Sequence, residues 1–151
     1  MKYSRWELRP ATYIDHDSIA EIWHASASLH GVGPPEMPTV EELRHRVDAE
    51  MDAGWEVTVA DRSGDVFGFA AVKPNEAILD QLFVQPGLIG GGIGRALLEH
   101  CIRAMPTGFT LHTASSNNRA RMFYENAGLR FLRYDAHPRT GHPVTYYRWN
   151  P

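Results

Sequence analysis

Apolar residues recur with helical spacing in four segments of the chain and alternate with polar residues in several others. The helical segments begin near Asp17, Thr39, Ile93 and Asn117, and each has one apolar face. Glu42 follows Thr39 by three residues, which predicts a capping box at the start of the second helix. Strands are predicted over residues 6–9, 55–60, 66–72, 77–84, 109–114, 129–134 and 144–149. The order β-α-α-β-β-β-α-β-α-β-β predicts a mixed α/β sheet with helices.

The composition is that of one soluble domain covering residues 1–151. Hydrophobic residues make up 43% of the 151 positions and charged residues 22%, which is close to the average for globular proteins. A chain of this length can bury a core without disulfides or metal. The formal charge of -3 gives no basic surface for nucleic acid. We expect a monomer or a homodimer without a nucleic-acid partner.

The cysteine count and the N-terminus indicate where the protein works. Cys101 is the one cysteine, which forbids an internal disulfide and is typical of a reducing compartment. It lies on the apolar face of a predicted helix, so we expect packing and not a nucleophile. Residues 1–7 contain no apolar signal segment, and no apolar run approaches the ~18 residues of a membrane span. We expect a cytoplasmic protein. The eight histidines are not spaced as metal ligands, so we expect no metal site.

Five glycines lie within residues 87–94, between the fourth predicted strand and the third predicted helix. Such a turn suits an anion, because the first amides of a helix are unpaired and glycine lets a phosphate approach the backbone. The nucleoside-triphosphate loop requires lysine where Ile93 stands. The dinucleotide fingerprint, counted from Gly90, requires glycine or alanine where Arg95 stands. The spacing excludes both of these loops.

Two motifs together resemble the signatures of the GNAT superfamily of N-acetyltransferases. Residues 82–98 contain Leu-Phe-Val-Gln-Pro and, after a three-residue spacer, Gly-Gly-Gly-Ile-Gly-Arg-Ala-Leu-Leu, which resembles the loop that binds the coenzyme A pyrophosphate. Residues 117–129 resemble the second signature, an Asn-x-x-Ala-x-x-x-Tyr-Glu run that ends in glycine and a hydrophobe. One departure is Ile89, where the family usually carries Arg or Gln. We expect the amide of Ile89 to serve and its side chain to pack.

The resemblance implies a fold and a site for acetyl-CoA. The fold is a single-domain, mostly antiparallel, seven-stranded sheet with about four helices, in which the strand ending at Val84 splays from the strand ending near Ala114. The pantetheine arm is implied to pair in this gap with the backbone of Phe83 and Val84, with an amide near Phe83 facing the thioester carbonyl. The implied cofactor-binding residues are Leu82, Phe83, Val84, Ile89, Gly90, Gly91, Gly92, Gly94, Arg95 and Asn117.

The resemblance also implies catalytic roles. Tyr124 is placed near the coenzyme sulfur, where a phenol that stays protonated at neutral pH can act as the general acid. A protonated amine cannot attack, so the reaction also needs a base. His112 suits this role because histidine accepts protons near neutral pH. Asp80 is the rival, since it interrupts an apolar strand on which some relatives carry a carboxylate. A water molecule is the third possibility, and the choice stays open.

The predicted function is acetyl-CoA-dependent N-acetyl transfer, made directly to a primary amine of a small molecule, amino acid or peptide. The alternative is a non-catalytic module on the same fold that binds or senses acyl-CoA. In relatives the acceptor pocket is built from the first two helices, their connection and the last strands, here residues 29–38 and 135–144. Side chains available to line it are Trp23, His24, His30, Glu36, Met37 and Tyr146.

Overall fold

The computed structural model describes residues 5–151, and the helices and strands in this range follow the predicted order. The call of one domain over residues 1–151 includes residues 1–4, which lie outside the described residues. The strands are β1 (Glu7–Pro10), β2 (Glu56–Arg62), β3 (Asp65–Lys73), β4 (Ile78–Val84), β5 (Phe109–Ala114), β6 (Arg130–Ala136) and β7 (Pro143–Trp149). The α-helices are α1 (His16–Ala27), α2 (Val40–Asp52), α3 (Ile93–Ala104) and α4 (Asn118–Asn126).

The seven strands form one sheet in the order β1-β2-β3-β4-β5-β7-β6. All neighbouring strands are antiparallel except β4 and β5, which run parallel and are paired at Ile78 and Thr110. The amide of Thr110 donates to the carbonyl of Ala77 at 3.0 Å. Beyond this point β4 and β5 separate. The predicted mixed sheet and its splay between the fourth and fifth strands are confirmed.

The two faces of the sheet carry separate cores, because each pair of helices brings its apolar face to one side. On one face α1 and α2 cover β2, β3 and β4, and the buried side chains include Ile19, Leu43, Val47, Val59 and Phe69. On the other face α3 and α4 bury Leu97, Leu98, Cys101, Phe109 and Tyr147. Cys101 is fully buried, so the prediction that it packs is confirmed.

The helix and strand ends follow the local signals to within two residues. Thr39 accepts from the amide of Glu42 at 3.1 Å, and the Glu42 carboxylate accepts from the amide of Thr39 at 2.9 Å, so the predicted capping box is present. β6 continues to Ala136, two residues past the predicted end. β6 is an edge strand whose side chains are all exposed, so its end depends on pairing with β7 and not on burial. No helix within residues 5–151 is long and apolar enough to cross a membrane.

Candidate active site

A cleft of about 580 Å³ opens where β4 and β5 separate. Its walls are β4, β5, the glycine loop before α3, and α4, with the end of α1 at its mouth. The predicted site residues that line it are Asp80, Leu82, Phe83, Val84, Ile89, Gly90, Gly92, Gly94, Arg95, His112, Asn117 and Tyr124. Gly91 belongs to the same loop without lining the cleft. The fold thus brings the three catalytic candidates and the glycine loop to one opening.

The glycine loop needs glycine at two positions for its backbone conformation. Gly90 and Gly92 have φ angles of +94° and +90°, in the left-handed region that side chains disfavour. No heavy atom lies within 4 Å of a β-carbon built on either residue, so crowding within the chain is not the reason for glycine. Gly92 directly precedes α3, whose first amides have no partner within the helix. The loop therefore presents open backbone to an anion.

Two side chains flank the glycine loop: Ile89, where the family usually carries arginine or glutamine, and Arg95. Ile89 is 38% exposed and faces the cleft, so the expectation that it packs in the protein is wrong. The 3₁₀ turn over residues 86–88 ends at Ile89, whose backbone is extended. Arg95 lies on the first turn of α3, and its Nε is 3.4 Å from the carboxylate of Glu99. Both side chains border the cleft beside the glycine loop.

The register of β4 decides which of its amides face the cleft. Gln85 donates its amide to the carbonyl of Phe67 at 2.8 Å, and Phe83 lies opposite Phe69 in the same antiparallel ladder. Because hydrogen-bonded pairs alternate along such a ladder, the amide of Phe83 points to β3. The groups that face the cleft belong to Leu82 and Val84. The expectation that the Phe83 backbone pairs in the gap is therefore corrected.

Ser26 is a site residue that sequence reasoning missed. Its hydroxyl donates to the carbonyl of Val84 at 2.7 Å, and its side chain is buried. This bond ties the end of α1 to the last residue of β4, at the mouth of the cleft. The signal in the sequence is a single hydroxyl on the apolar face of α1, between Trp23 and Ala27. A pattern on one helix does not say which distant carbonyl such a hydroxyl meets.

Tyr124 lies on the α3 and α4 side of the cleft. Tyr124 is 7% exposed, and its ring packs near Phe123 and Tyr147, with ring centroids 5.2 Å and 6.2 Å away. Among residues 5–151 the Tyr124 hydroxyl has no hydrogen-bond partner. Every side-chain oxygen or nitrogen that is fully buried in this range does have a partner, so the Tyr124 oxygen is not fully buried. The hydroxyl oxygen is therefore accessible from the cleft. Burial raises the pKa of Tyr124, so the phenol keeps its proton at neutral pH.

Asp80 reaches the cleft through a β-bulge in β4. Ala71 pairs with Gln81 and Val72 pairs with Leu79, which leaves Asp80 as the additional residue. The bulge turns its side chain towards the α1 and α2 side of the sheet. There Asp80 accepts from Nε1 of Trp55 at 2.8 Å. Its carboxylate is therefore held in place.

Lys73 and His112 complete the charged surroundings of Asp80. Nζ of Lys73 lies 3.8 Å from Oδ2 of Asp80. His112 follows the buried Leu111 on β5, so alternation puts it on the same side of the sheet as Asp80. No hydrogen bond engages the His112 ring nitrogens among residues 5–151, and its ring lies 5.1 Å from that of Tyr146. Burial lowers the pKa of His112, and the charge of Asp80 opposes this only partly. These surroundings therefore favour the neutral form of the His112 imidazole.

The residues suggested for the acceptor pocket are placed differently from the expectation. Trp23 is 5% exposed and belongs to the core, because α1 turns its apolar face to the sheet. From the connection between α1 and α2, the side chains that do line the cleft are Leu29 and Val32. Tyr146 contacts the ring of His112, which lines the cleft, but does not line the cleft itself. The suggested residues that do not line it in the described structure are Trp23, His24, His30, Glu36, Met37 and Tyr146.

A mixed sheet that opens between two parallel strands, beside a glycine loop that enters a helix, defines the class of acetyltransferases that use coenzyme A thioesters. The model of the acetyltransferase (GNAT) domain matches residues 53–129, which is more than half of the chain. The chain belongs to the GNAT acetyltransferase family. A comparison with curated protein sequences gives no match.

Solved structures share the fold over almost the whole chain. A GCN5-related N-acetyltransferase from Rhodopseudomonas palustris has a TM-score of 0.79 at 20% identity, covering 100% of this chain and 99% of that one. A ribosomal-protein-alanine N-acetyltransferase from Brucella melitensis has a TM-score of 0.75 at 19% identity, covering 96% and 99%. A phosphinothricin acetyltransferase from Sinorhizobium meliloti, in complex with acetyl-CoA, has a TM-score of 0.73 at 20% identity, covering 95% and 87%. The different substrates in these names show that the fold alone does not define the acceptor.

Proposed function

We propose that this protein transfers an acetyl group from acetyl-CoA directly to a primary amine. The observation that carries the proposal is a single cleft with a phenol on one side of the sheet and two proton acceptors on the other. Tyr124 belongs to the α3 and α4 side, whereas His112 and Asp80 face the α1 and α2 side. A donor entering from one side and an acceptor from the other thus meet between proton-transfer groups.

The groups of the cleft that suit acetyl-CoA are mostly backbone groups and not side chains. The unpaired amides at the start of α3 and the open backbone at Gly90 and Gly92 suit the pyrophosphate. The edge of β4 that faces the cleft, at Leu82 and the amide of Val84, suits the amide-bearing pantetheine arm, which can add to the sheet as a strand does. Asn117 caps α4 by accepting from the amide of Ala120 at 3.2 Å. When bound, acetyl-CoA supplies an acetyl group activated as a thioester.

We assign the base to His112, with Asp80 or a water molecule as the alternatives. His112 has free ring nitrogens among the described residues, and burial lowers its pKa, so it is ready to accept a proton at pH 7. The Asp80 carboxylate already accepts from Trp55 and lies near Lys73. These partners make Asp80 better suited to hold the acceptor amine by charge than to remove its proton.

Proton transfer at Tyr124 completes the reaction. The amine nitrogen bonds to the thioester carbon, the carbon–sulfur bond breaks, and the proton lost by the amine goes to His112. Tyr124 gives its proton to the departing sulfur, which needs it because a thiolate is the less stable product at neutral pH. A backbone amide of Leu82 or Val84 that the pantetheine arm does not engage can donate to the thioester carbonyl oxygen, on which negative charge develops.

The state of the one thiol supports transfer without an acyl group on Cys101. Cys101 is fully buried between α3 and the sheet, and burial raises its pKa to about 12. A protonated, inaccessible thiol is not a nucleophile. Direct attack of the amine on the thioester, in a complex that holds both substrates, fits this state of the thiol.

Two measurements test the proposed function. Acetyl-CoA is expected to raise the melting temperature, because a ligand that binds only the native state stabilises it. Free thiol released from acetyl-CoA is then followed across a panel of amines. Thiol release that depends on an amine supports the enzyme. Binding without release for any amine contradicts transfer and supports the acyl-CoA sensor instead. The absence of a thermal shift at millimolar acetyl-CoA contradicts both.

A further inference from the structure

A short segment closes part of the acceptor side of the cleft. This strap, residues 26–32, leaves the end of α1 and crosses from β4 to β5. At one end Ser26 donates to the carbonyl of Val84, the last residue of β4. At the other end Ser116, two residues beyond β5, donates its hydroxyl to the carbonyl of Gly31 at 2.8 Å. The strap therefore spans the gap where the two strands have separated.

The strap is held in one conformation and presents apolar side chains. Gly31 has a φ of +78°, in the left-handed region. A β-carbon built on Gly31 lies 3.0 Å from the carbonyl oxygen of Ser116, so a side chain there would crowd the turn after β5. Within the strap the amide of Leu29 donates to Ser26 at 3.2 Å, and the amide of Val32 donates to Leu29 at 3.1 Å. The side chains of Leu29 and Val32 line the cleft.

The acceptor side of the cleft is polar at its closed end and apolar at its open end. β4 and β5 are paired at Ile78 and Thr110. Asp80 and His112 each lie two residues further along, where the strands begin to separate. Phe83 follows Asp80 by three residues, or about 10 Å of strand, lines the cleft and packs against the α1 and α2 core. The strap is tied to the residue after Phe83, so its apolar side chains lie at the same end.

The charges that line the cleft differ between its two sides. Among residues 5–151 the charged side chains in the lining are Asp80, Arg95 and Arg119. Both arginines lie on the first turns of α3 and α4, beside the proposed coenzyme site. Asp80 lies on the acceptor side, and Lys73, 3.8 Å from it, does not line the cleft. A carboxylate that enters from the acceptor side thus meets one negative charge and no lining cation in the described range.

Building on the proposed acetyl transfer, we infer that the acceptor is a primary amine that carries an apolar group and no carboxylate. Its nitrogen is directed to Asp80 and His112, and its apolar group to Phe83 and the strap. These residues line one cleft, so a single small molecule reaches both ends. The apolar group gains by covering Leu29, which is 37% exposed. A carboxylate is disfavoured because it leaves water without a cation as partner and beside Asp80.

Four acceptors that differ by one group test this inference. 2-Phenylethylamine is the reference, and ethylamine lacks its apolar group. Phenylalanine adds a carboxylate, and phenylalaninamide adds a neutral group of the same size. The readout is kcat/KM from thiol release, calculated for the deprotonated amine. On that basis phenylalanine, which is more basic than its carboxamide, is the better nucleophile, so intrinsic reactivity works against the expected preference.

The wild-type protein is expected to show two preferences. 2-Phenylethylamine should be used at least about tenfold better than ethylamine, because even one methylene group in an apolar pocket can give that factor. Phenylalaninamide should be used at least about tenfold better than phenylalanine, because like charges placed together in a binding site are strongly unfavourable.

Two variants test the two preferences separately. Leu29→Ala should lower the preference for 2-phenylethylamine over ethylamine about 4- to 15-fold, the effect of one or two methylene groups. Leu132→Ala is the matched control and should keep that preference, because Leu132 is 41% exposed and does not line the cleft. Asp80→Asn should lower the preference for phenylalaninamide over phenylalanine about tenfold. A purely structural role of Leu29 or Asp80 changes the use of all four amines alike.

Several results would overturn the inference. Equal use of phenylalanine and phenylalaninamide by the wild-type protein does so, and so does equal use of ethylamine and 2-phenylethylamine. A preference that survives its own variant has the same consequence. Better use of phenylalaninamide than of 2-phenylethylamine also overturns the inference and indicates a peptide N-terminus as the acceptor.

Failure of the proposed function is a separate outcome. If no amine releases thiol, calorimetric titration of the four amines into the complex with coenzyme A decides the inference. Binding of 2-phenylethylamine that Leu29→Ala weakens and Leu132→Ala retains supports an apolar-amine site in a protein that does not transfer acetyl groups. Absence of this binding overturns the apolar-amine site as well. If other amines release thiol and 2-phenylethylamine does not, the inference fails while the proposed function stands.

Discussion

Tyr124→Phe isolates the proposed general acid because it removes a single oxygen atom. The ring is almost fully buried and keeps its contacts with Phe123 and Tyr147 in the variant. The hydroxyl has no hydrogen-bond partner among residues 5–151, so its loss is expected to change the free energy of unfolding by less than about 1 kcal/mol. A positioned general acid contributes roughly 10²- to 10⁴-fold to the rate, so we expect kcat to fall by that factor.

Tyr147→Phe is the matched control for this prediction. The Tyr147 hydroxyl donates to the Glu125 carboxylate at 2.6 Å and accepts from Nε of Arg121 at 3.2 Å. It lies outside the cleft lining, so its loss is expected to cost about 1–3 kcal/mol of stability while kcat stays unchanged. The melting temperature then falls by about 2–4 °C for each kcal/mol. The two substitutions thus have opposite effects on stability and on rate.

The assay is thiol release at saturating amine, together with thermal unfolding and the KM for acetyl-CoA. Tyr124→Phe is expected to keep its melting temperature and its KM for acetyl-CoA within about threefold, because the hydroxyl acts on the leaving sulfur and not in binding. Burial raises the pKa of Tyr124, so its removal leaves the pH profile between pH 6 and 9 unchanged in shape. A kcat within threefold of wild type refutes the role of Tyr124.

Two further predictions concern the base and the glycine loop. Burial lowers the pKa of His112 below its usual 6.5, so kcat/KM is expected to fall as the pH drops through that lower value. His112→Gln should remove this acid limb of the pH profile and lower kcat/KM by roughly 10²- to 10⁴-fold. Asp80→Asn should retain the limb. If instead Asp80→Asn removes the limb and His112→Gln retains it, Asp80 is the base. Gly92→Ala forces a β-carbon into the left-handed region at φ +90°, which should cost about 1–2 kcal/mol, measured as the midpoint of thermal unfolding. Gly91→Ala, outside that region, should cost much less, and equal losses contradict the account of the loop.

The order of helices and strands could be predicted from the sequence because it depends on local patterns. The apolar positions Ile93, Leu97 and Cys101 lie on one face of any helix that contains them, and they are buried on α3. The glycine loop could be located because spacing alone excluded two other phosphate-binding loops. The backbone of Gly92 agrees with this location of the loop, because a φ of +90° is readily adopted only by glycine. Gly91 does not have a positive φ, and the sequence alone could not distinguish it from Gly90 and Gly92.

The candidate site was only partly predictable because it depends on pairing between distant strands. Asp80 and His112 were separate alternatives in the sequence, and the β4 bulge and the alternation of β5 bring both to one side of the sheet. The amide of Phe83 was expected in the cleft, but the register with β3 turns it away. A shift of one residue in pairing reverses every group along a strand. No local pattern encodes that choice.

The sequence by itself determined the family, the glycine loop and the positions of the three catalytic candidates, because these are properties of residue type and spacing. Only the tertiary structure decided that Ser26 reaches the carbonyl of Val84 and that Arg46 lies over Trp23. Both contacts join segments far apart in the chain. They follow from the packing of α1 and α2 on the sheet, which the apolar face of each helix makes favourable without specifying its partners.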